Sequence, residues 1–306
     1  MPDARVNGVR LHYTVTGEGA PLVFAHEFAG DGRSWELQER FFARRYRVVS
    51  YYARGYPPSD VPEDPAAYSE EIAVDDLVGL LRHLGIAPAH LCGLSMGAST
   101  ILRLGLRQPA LARSLVVAGC GSGSDNPEEF RRESQERAET IERDGMAAFA
   151  SAYAEGPTRL PFRRKDPRGW EVFRDAFLLH SGPGSARTLR GVQTRRRPLY
   201  AYEAPLRRLA VPTLVVNGDE DEPCLLPGLF LKRQIPGAGL LVFPNTGHTI
   251  NLEEPDAFNR AVLDFITRVD AGRWYDPDLR QKGARRAPRR AARGTGRRRT
   301  ARTGQR

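Results

Sequence analysis

The sequence predicts an α/β fold: a mostly parallel central sheet flanked by helices, with a helical segment inserted between the sixth and seventh sheet strands. Three observations point to it. Short apolar runs alternate with helix-period segments from residue 6 to about residue 120, and again from residue 212 to residue 269. Runs such as Pro21-Leu22-Val23-Phe24-Ala25 are apolar on both faces, as buried parallel strands are. Between the two alternating regions, about 80 residues read as helices with no convincing strand.

The elements follow in order. Residues 6–16 have the β-rich alternation of a strand or a hairpin arm, and 21–25 form the first buried strand. Residues 34–45 read as a helix through Trp35, Leu37, Phe41 and Phe42. Residues 47–52 are the next strand and 68–84 a long amphipathic helix. A strand over 89–93 runs into a helix over 96–107, and 115–120 is another strand. Asn126 can cap a helix that has Pro127 at its first position and Glu129 three residues on. Helices over 145–155 and 170–179 follow, rich in Met, Phe, Tyr and Trp. The sheet resumes with strands at 212–217 and 239–243 and closes with a helix over 255–269. This organisation divides the chain into a core of residues 1–124 and 204–275, a helical cap at 125–203 and a tail at 276–306. An insertion that leaves and re-enters on one side can cover the carboxyl edge of the sheet, where open α/β sheets bind ligands.

The chain has 306 residues, 41% hydrophobic and 27% charged, which excludes disordered and fibrous classes and suffices for a sizeable core. Three cysteines, Cys92, Cys120 and Cys224, give neither a disulfide framework nor a thiolate zinc site, and are expected as buried thiols of a cytoplasmic protein. The N-terminus lacks the apolar stretch of a signal peptide, and no apolar run is long enough to span a membrane. The net charge is +9, yet twelve of the 46 basic side chains, and no acid, lie in residues 280–306, so residues 1–279 carry about −3. That arginine-rich stretch has no aromatic residue and is expected to be disordered. Contact with nucleic acid or an anionic surface is expected, if at all, only through it; otherwise it is a solvated extension.

Gly93-Leu94-Ser95-Met96-Gly97 has the form G-x-S-x-G where a strand becomes a helix. Glycines two before and two after the serine permit a sharp turn that thrusts the hydroxyl out at the sheet edge. A serine hydroxyl is a poor nucleophile without a base. Of six histidines, His248 in Asn245-Thr246-Gly247-His248 lies just past the last strand, where a loop can reach the serine. The base needs a carboxylate to orient it, and Asp219-Glu220-Asp221-Glu222 after a buried strand offers candidates.

With these motifs in this order, residues from about 6 to about 270 resemble the α/β-hydrolase fold superfamily, most closely its cap-bearing bacterial esterases, haloperoxidase-like enzymes and carbon–carbon bond hydrolases. Gly93–Gly97 matches the nucleophile elbow, Gly218-Asp-Glu-Asp221 the turn that carries the acid, and Gly247-His248 followed by Glu253-Glu254-Pro255 the segment before the last helix. The loop Tyr52-Ala-Arg54-Gly55-Tyr-Pro57-Pro-Ser59 matches in part, with Tyr52 and Pro57 replacing the usual Asp and Gly. The resemblance implies a triad of Ser95, Asp221 and His248, with the Phe28 and Met96 N–H groups as oxyanion donors. Its activity would be hydrolysis of an ester, thioester, lactone or activated carbon–carbon bond through an acyl-enzyme. No metal and no organic cofactor are expected, and the partner is a small molecule. Phe149, Tyr153 and Trp170 are candidate substrate contacts from the cap, although packing is the expected role of most of its aromatic residues.

One departure bears on chemistry. After the third strand the family usually has His-Gly, and here the residues are His26-Glu27. A non-glycine residue would be strained if the backbone there has positive φ, and a carboxylate aimed at an oxyanion would oppose its stabilisation. Glu27 therefore points away, is held protonated, or serves as a polar substrate contact. A ligand-binding protein that keeps the fold without turnover is the alternative that Glu27 raises.

Overall fold

The computed structural model describes residues 2–275. The arginine-rich segment lies outside them.

Eight strands form one sheet: β1 (Asp3–Val6), β2 (Val9–Thr16), β3 (Ala20–Ala25), β4 (Tyr46–Tyr51), β5 (Ala89–Leu94), β6 (Ala112–Ala118), β7 (Thr213–Gly218) and β8 (Ala238–Phe243). Their spatial order is β1-β2-β4-β3-β5-β6-β7-β8. The pairs from β4 through β8 are parallel, while β1–β2 and β2–β4 are antiparallel. The segment at 6–16 thus belongs to a hairpin. Asn7 and Gly8 both take positive φ, as the tight turn of a two-residue hairpin requires.

Helices cover both faces. On one lie α2 (Glu70–Leu84) and α3 (Met96–Arg107), whose Leu77, Leu81, Ile101 and Leu104 are buried against the β3, β5 and β6 side chains. Ser69 caps α2 by accepting the Ile72 N–H, and Gly85 ends it in the left-handed region. The other face carries α1 (Glu36–Phe42) and, at the chain's last described helix, α11 (Pro255–Asp270), which bury Phe42, Phe258, Val262 and Phe265.

Between β6 and β7 the chain forms the expected helical insertion. Its first helix, α4 (Pro127–Ala154), is capped by Asn126 and breaks at Gly145 (φ 84°, ψ 165°), where the sequence placed the start of a separate helix. Then come α5 (Leu160–Lys165), α6 (Pro167–Leu178), α7 (Gly182–Thr188) and, before β7, α8 (Glu203–Leu206). An apolar cluster of Phe149, Phe162, Trp170, Phe173 and Phe177 joins these helices and takes in Phe28 of the core. After β7 come α9 (Glu222–Gln234) and, after β8, the short α10 (Ile250–Glu253). Among the described residues no helix is long and apolar enough to cross a membrane.

Candidate active site

Ser95 stands alone between the end of β5 and the start of α3, with φ 53° and ψ −108°. That conformation is costly for a residue with a Cβ, about 1–3 kcal/mol, and persists only where its surroundings enforce it. The enforcement is visible. A Cβ on Gly93 would lie 2.5 Å from the Gly97 backbone, and one on Gly97 would lie 2.1 Å from the Ala25 carbonyl oxygen. Only glycine fits at either place, so β5, α3 and β3 close tightly around the turn. The Ser95 N–H donates to the Ala118 carbonyl at 2.8 Å, which ties the elbow to β6. The first N–H groups of α3, starting at Met96, have no partner within the helix.

His248 lies after β8 and Asp221 after β7. The imidazole Nδ1 sits 2.7 Å from Asp221 Oδ2, and both side chains are buried. Burial opposes ionisation of Asp221, but the facing His248 outweighs it and holds the carboxyl below its ordinary range. The two loops are stitched together: the Thr246 N–H donates to Asp219 Oδ1 at 3.1 Å, and the Glu220 N–H to the Thr246 carbonyl at 2.9 Å. Glu253 braces His248 from both sides in sequence. Its carboxylate accepts the Gly247 N–H at 2.8 Å, the Thr249 N–H at 3.2 Å and the Thr249 hydroxyl at 3.0 Å. Burial nonetheless raises the Glu253 carboxyl above its ordinary range.

Glu27 follows β3 without strain, since the non-glycine residues at positive φ among the described residues are Asn7, Ser95 and Asn245. Its side chain is 2% exposed and meets Arg159 of the insertion in a two-pronged ion pair, at 2.9 and 2.5 Å. Burial works against its charge, but Arg159, then His248, pull the Glu27 carboxyl below the usual range, so it is not held protonated. The same carboxylate lies 3.9 Å from His248 Nε2. His26 fixes the backbone here. The Ala53 N–H donates to its Nε2 at 3.0 Å, which leaves Nδ1 to donate to the Glu27 carbonyl at 2.7 Å. Burial pushes the His26 imidazole down to about 4, so it is neutral. The Tyr56 hydroxyl donates to the Phe28 carbonyl at 3.0 Å, a second brace on the same loop.

Residues 22–261 match the sequence pattern of the Alpha/beta hydrolase family. The chain belongs to that family. Among its curated relatives is 3-oxoadipate enol-lactonase 2 of Acinetobacter baylyi, 28% identical over 266 residues that cover 86% of this chain and 95% of the relative. Among solved structures, the enol-lactonase from Burkholderia xenovorans LB400 superposes with a TM-score of 0.76 at 29% identity, covering 87% of this chain and all of the lactonase. The N-acyl homoserine lactone degrading enzyme Est816 superposes with a TM-score of 0.73 at 28% identity, over 86% of this chain and 100% of that one.

In this hydrolase Ser95, Asp221 and His248 line one cavity of about 830 Å³ beneath the insertion. Phe28, Phe149 and Tyr153 are on its wall. Trp170, expected as another contact, lies instead inside the insertion, where its indole N–H donates to the Ala154 carbonyl at 2.9 Å and Arg163 and Arg174 stack on its faces. Glu27 is directed at Arg159 and His248 rather than onto the cavity wall. The donor atoms of Asp221, Cys224 and His248 lie within 4.8 Å of one another, as a metal site would require. Burial pushes the Cys224 thiol well above its ordinary range, and the Nδ1–Oδ2 contact of His248 and Asp221 is that of a base and its orienting acid. Sequence reasoning missed Arg159, Thr158 and Glu253 as neighbours of the site. Arg159 stands in Gly156-Pro157-Thr158-Arg159, which matches no motif, and only the folded insertion brings it to Glu27.

Proposed function

We propose that the protein is a serine hydrolase acting on an ester-like bond of a small to medium, largely apolar substrate. One observation carries the reading: a strained serine at an elbow faces the same cavity as a buried His–Asp pair. In the proposed reaction His248 Nε2 takes the Ser95 hydroxyl proton as Oγ attacks the carbonyl carbon. Asp221 keeps the proton on Nδ1 and stabilises the imidazolium that forms. The N–H groups of Phe28 and Met96 hold the oxyanion, and loss of one such donor in comparable sites costs about 10²–10³ in rate. His248 returns the proton to the leaving group, and an acyl-Ser95 ester remains. Water, deprotonated by His248, then attacks that ester and frees the acid product and Ser95.

The insertion, residues 125–203, acts as a cap, and Phe28, Phe149 and Tyr153 give the cavity its apolar wall. The enol-lactonase and lactone-degrading relatives support a carboxylic ester or lactone within the wider set of ester, thioester, lactone and carbon–carbon bonds. The test is a fluorophosphonate probe together with a chain-length series of p-nitrophenyl esters and simple lactones, on the wild type beside Ser95→Ala. Labelling and turnover that both disappear in a folded Ser95→Ala protein are the expected result. Turnover retained in that variant, or a folded wild type with neither labelling nor turnover, overturns the reading.

A further inference from the structure

We infer that Glu27 and Arg159 are positioning residues that set the charge facing the outer nitrogen of His248, so that the helical insertion completes the acid–base machinery of the site. The inference takes its consequence for turnover from the serine-hydrolase reading. Its effect on His248 is independent of that reading.

Two carboxylates flank one imidazole: Asp221 at 2.7 Å from Nδ1 and Glu27 at 3.9 Å from Nε2. An imidazole between two unpaired buried carboxylates would be drawn into its protonated form and lost as a base. Arg159 prevents this. Its two terminal nitrogens engage both Glu27 oxygens, and Tyr153 and Phe173 cover the guanidinium with centroids at 5.4 and 5.2 Å. The arginine is 1% exposed, so its charge is screened little by water. When His248 takes a proton, the four groups balance as two anions and two cations; before that they carry one net negative charge. The pair therefore offsets the Glu27 charge and still offers the protonated imidazole a nearby anion.

Several other charged groups around His248 have partners of their own. Glu253 is bonded to Gly247 and Thr249, with Lys165 Nζ at 3.9 Å. Glu220 pairs with Arg164, and Asp219 accepts from Thr246. His26, beside Glu27, is neutral. The segment that carries Arg159 also touches His248 directly, because the His248 N–H donates to the Thr158 carbonyl at 2.9 Å.

The two halves of the pair therefore act with opposite sign. Glu27→Gln leaves Arg159 uncompensated beside His248 and disfavours the imidazolium. Arg159→Met leaves Glu27 uncompensated and favours it. The experiment follows His248 by NMR titration of ring-labelled histidine, assigned with His248→Gln, in the wild type, both single variants and the double variant, with kcat/KM for a p-nitrophenyl ester measured against pH alongside. Glu27→Gln should move the His248 titration and the acidic limb of kcat/KM down by about one pH unit, and Arg159→Met should move both up by about as much. The double variant should return to within about 0.3 pH unit of wild type. If Arg159→Met does not fold, Arg159→Lys replaces it: the retained charge should keep His248 near its wild-type titration. Movements in the same direction, no movement in a folded single variant, or a displacement in Arg159→Lys as large as that of Glu27→Gln overturns the inference. A pair that merely pins the insertion would lower stability without opposite pH shifts. Failure of the hydrolase reading would show separately, as a wild type that neither turns over ester nor labels while the NMR shifts persist.

Discussion

His26 makes stability depend on pH in a calculable way. In the folded protein its Nε2 accepts the Ala53 N–H and its Nδ1 donates to the Glu27 carbonyl. Protonating Nε2 would set a donor against a donor in a site closed to water. Burial lowers this imidazole from 6.5 to about 4. A group whose folded value is depressed adds stability that is fully present above its unfolded value and is lost as pH falls toward the folded one, here from 6.5 down to about 4. At 1.36 kcal/mol per unit the whole window is worth about 3 kcal/mol, and the part between about pH 7 and about pH 5 comes to about 2 kcal/mol. Glu27 and Asp221 are both held below their ordinary ranges in the folded state. His90 is also buried and pushed down, so it adds a slope of the same sign. The decisive quantity is therefore a difference. Urea unfolding at the two pH values should show wild type losing about 2 kcal/mol more than His26→Gln on acidification. Equal losses in the two proteins would refute the assignment of a neutral, acceptor-bearing His26.

Two further perturbations test the framework around the site. Gly97→Ala places a Cβ 2.1 Å from the Ala25 carbonyl, so β3 and α3 must separate; ester turnover should fall at least tenfold while circular dichroism keeps the helical signal, and unchanged kcat/KM would contradict the tight closure around Ser95. Glu253→Ala strips the acceptor from the Gly247 and Thr249 N–H groups and the Thr249 hydroxyl. With about 1–3 kcal/mol for each buried donor left unmet, chemical denaturation should show a loss of at least about 3 kcal/mol, and a loss below about 1 kcal/mol would mean the brace is replaceable.

Much of this was legible in the sequence because it depends on local chemistry. The helix over Met96–Arg107 begins and ends where its pattern places it, since the glycines that make the Ser95 turn are written beside the serine. The strands differ from their expected bounds by a few residues at most, β6 most, because Ala112, Arg113 and Ser114 carry no apolar run to mark its start. The insertion was harder. Gly145 reads as the start of a separate helix, and the backbone does leave helical geometry there, although the helix resumes at once after it. The sequence assigns no element to the α7 segment Gly182–Thr188, which Ser181 caps by accepting the Gly184 N–H and which brings Gly184 so close to the Gly55 carbonyl that a Cβ would not fit. The partner of Glu27 was out of reach for a different reason. Residues 27 and 159 are 132 apart, and no local rule says which of the many arginines in the insertion turns inward.

The insertion is better understood as two parts with different tasks. Residues 157–165 are fastened to three loops of the site: Thr158 to His248, Arg159 to Glu27, Arg164 to Glu220, and Lys165 to Thr246 and Glu254. Swinging this segment away would strand the Glu27 carboxylate in a buried site. Breaking a buried pair by losing one partner costs about 3–5 kcal/mol, so such a motion would be populated in no more than about one molecule in a hundred. The longer α4 meets the cavity with Phe130, Arg137, Phe149 and Tyr153 and is joined to its neighbours largely by apolar packing and exposed pairs such as Arg190–Glu142. Substitution at Phe130 or Phe149 changes the wall without touching the buried Glu27–Arg159 pair, whereas substitution at Arg159 unpairs Glu27. On the proposed reading, shape selection falls mainly to α4 and acid–base poise to residues 157–165, and the two meet at Tyr153, which lines the cavity and covers the Arg159 guanidinium.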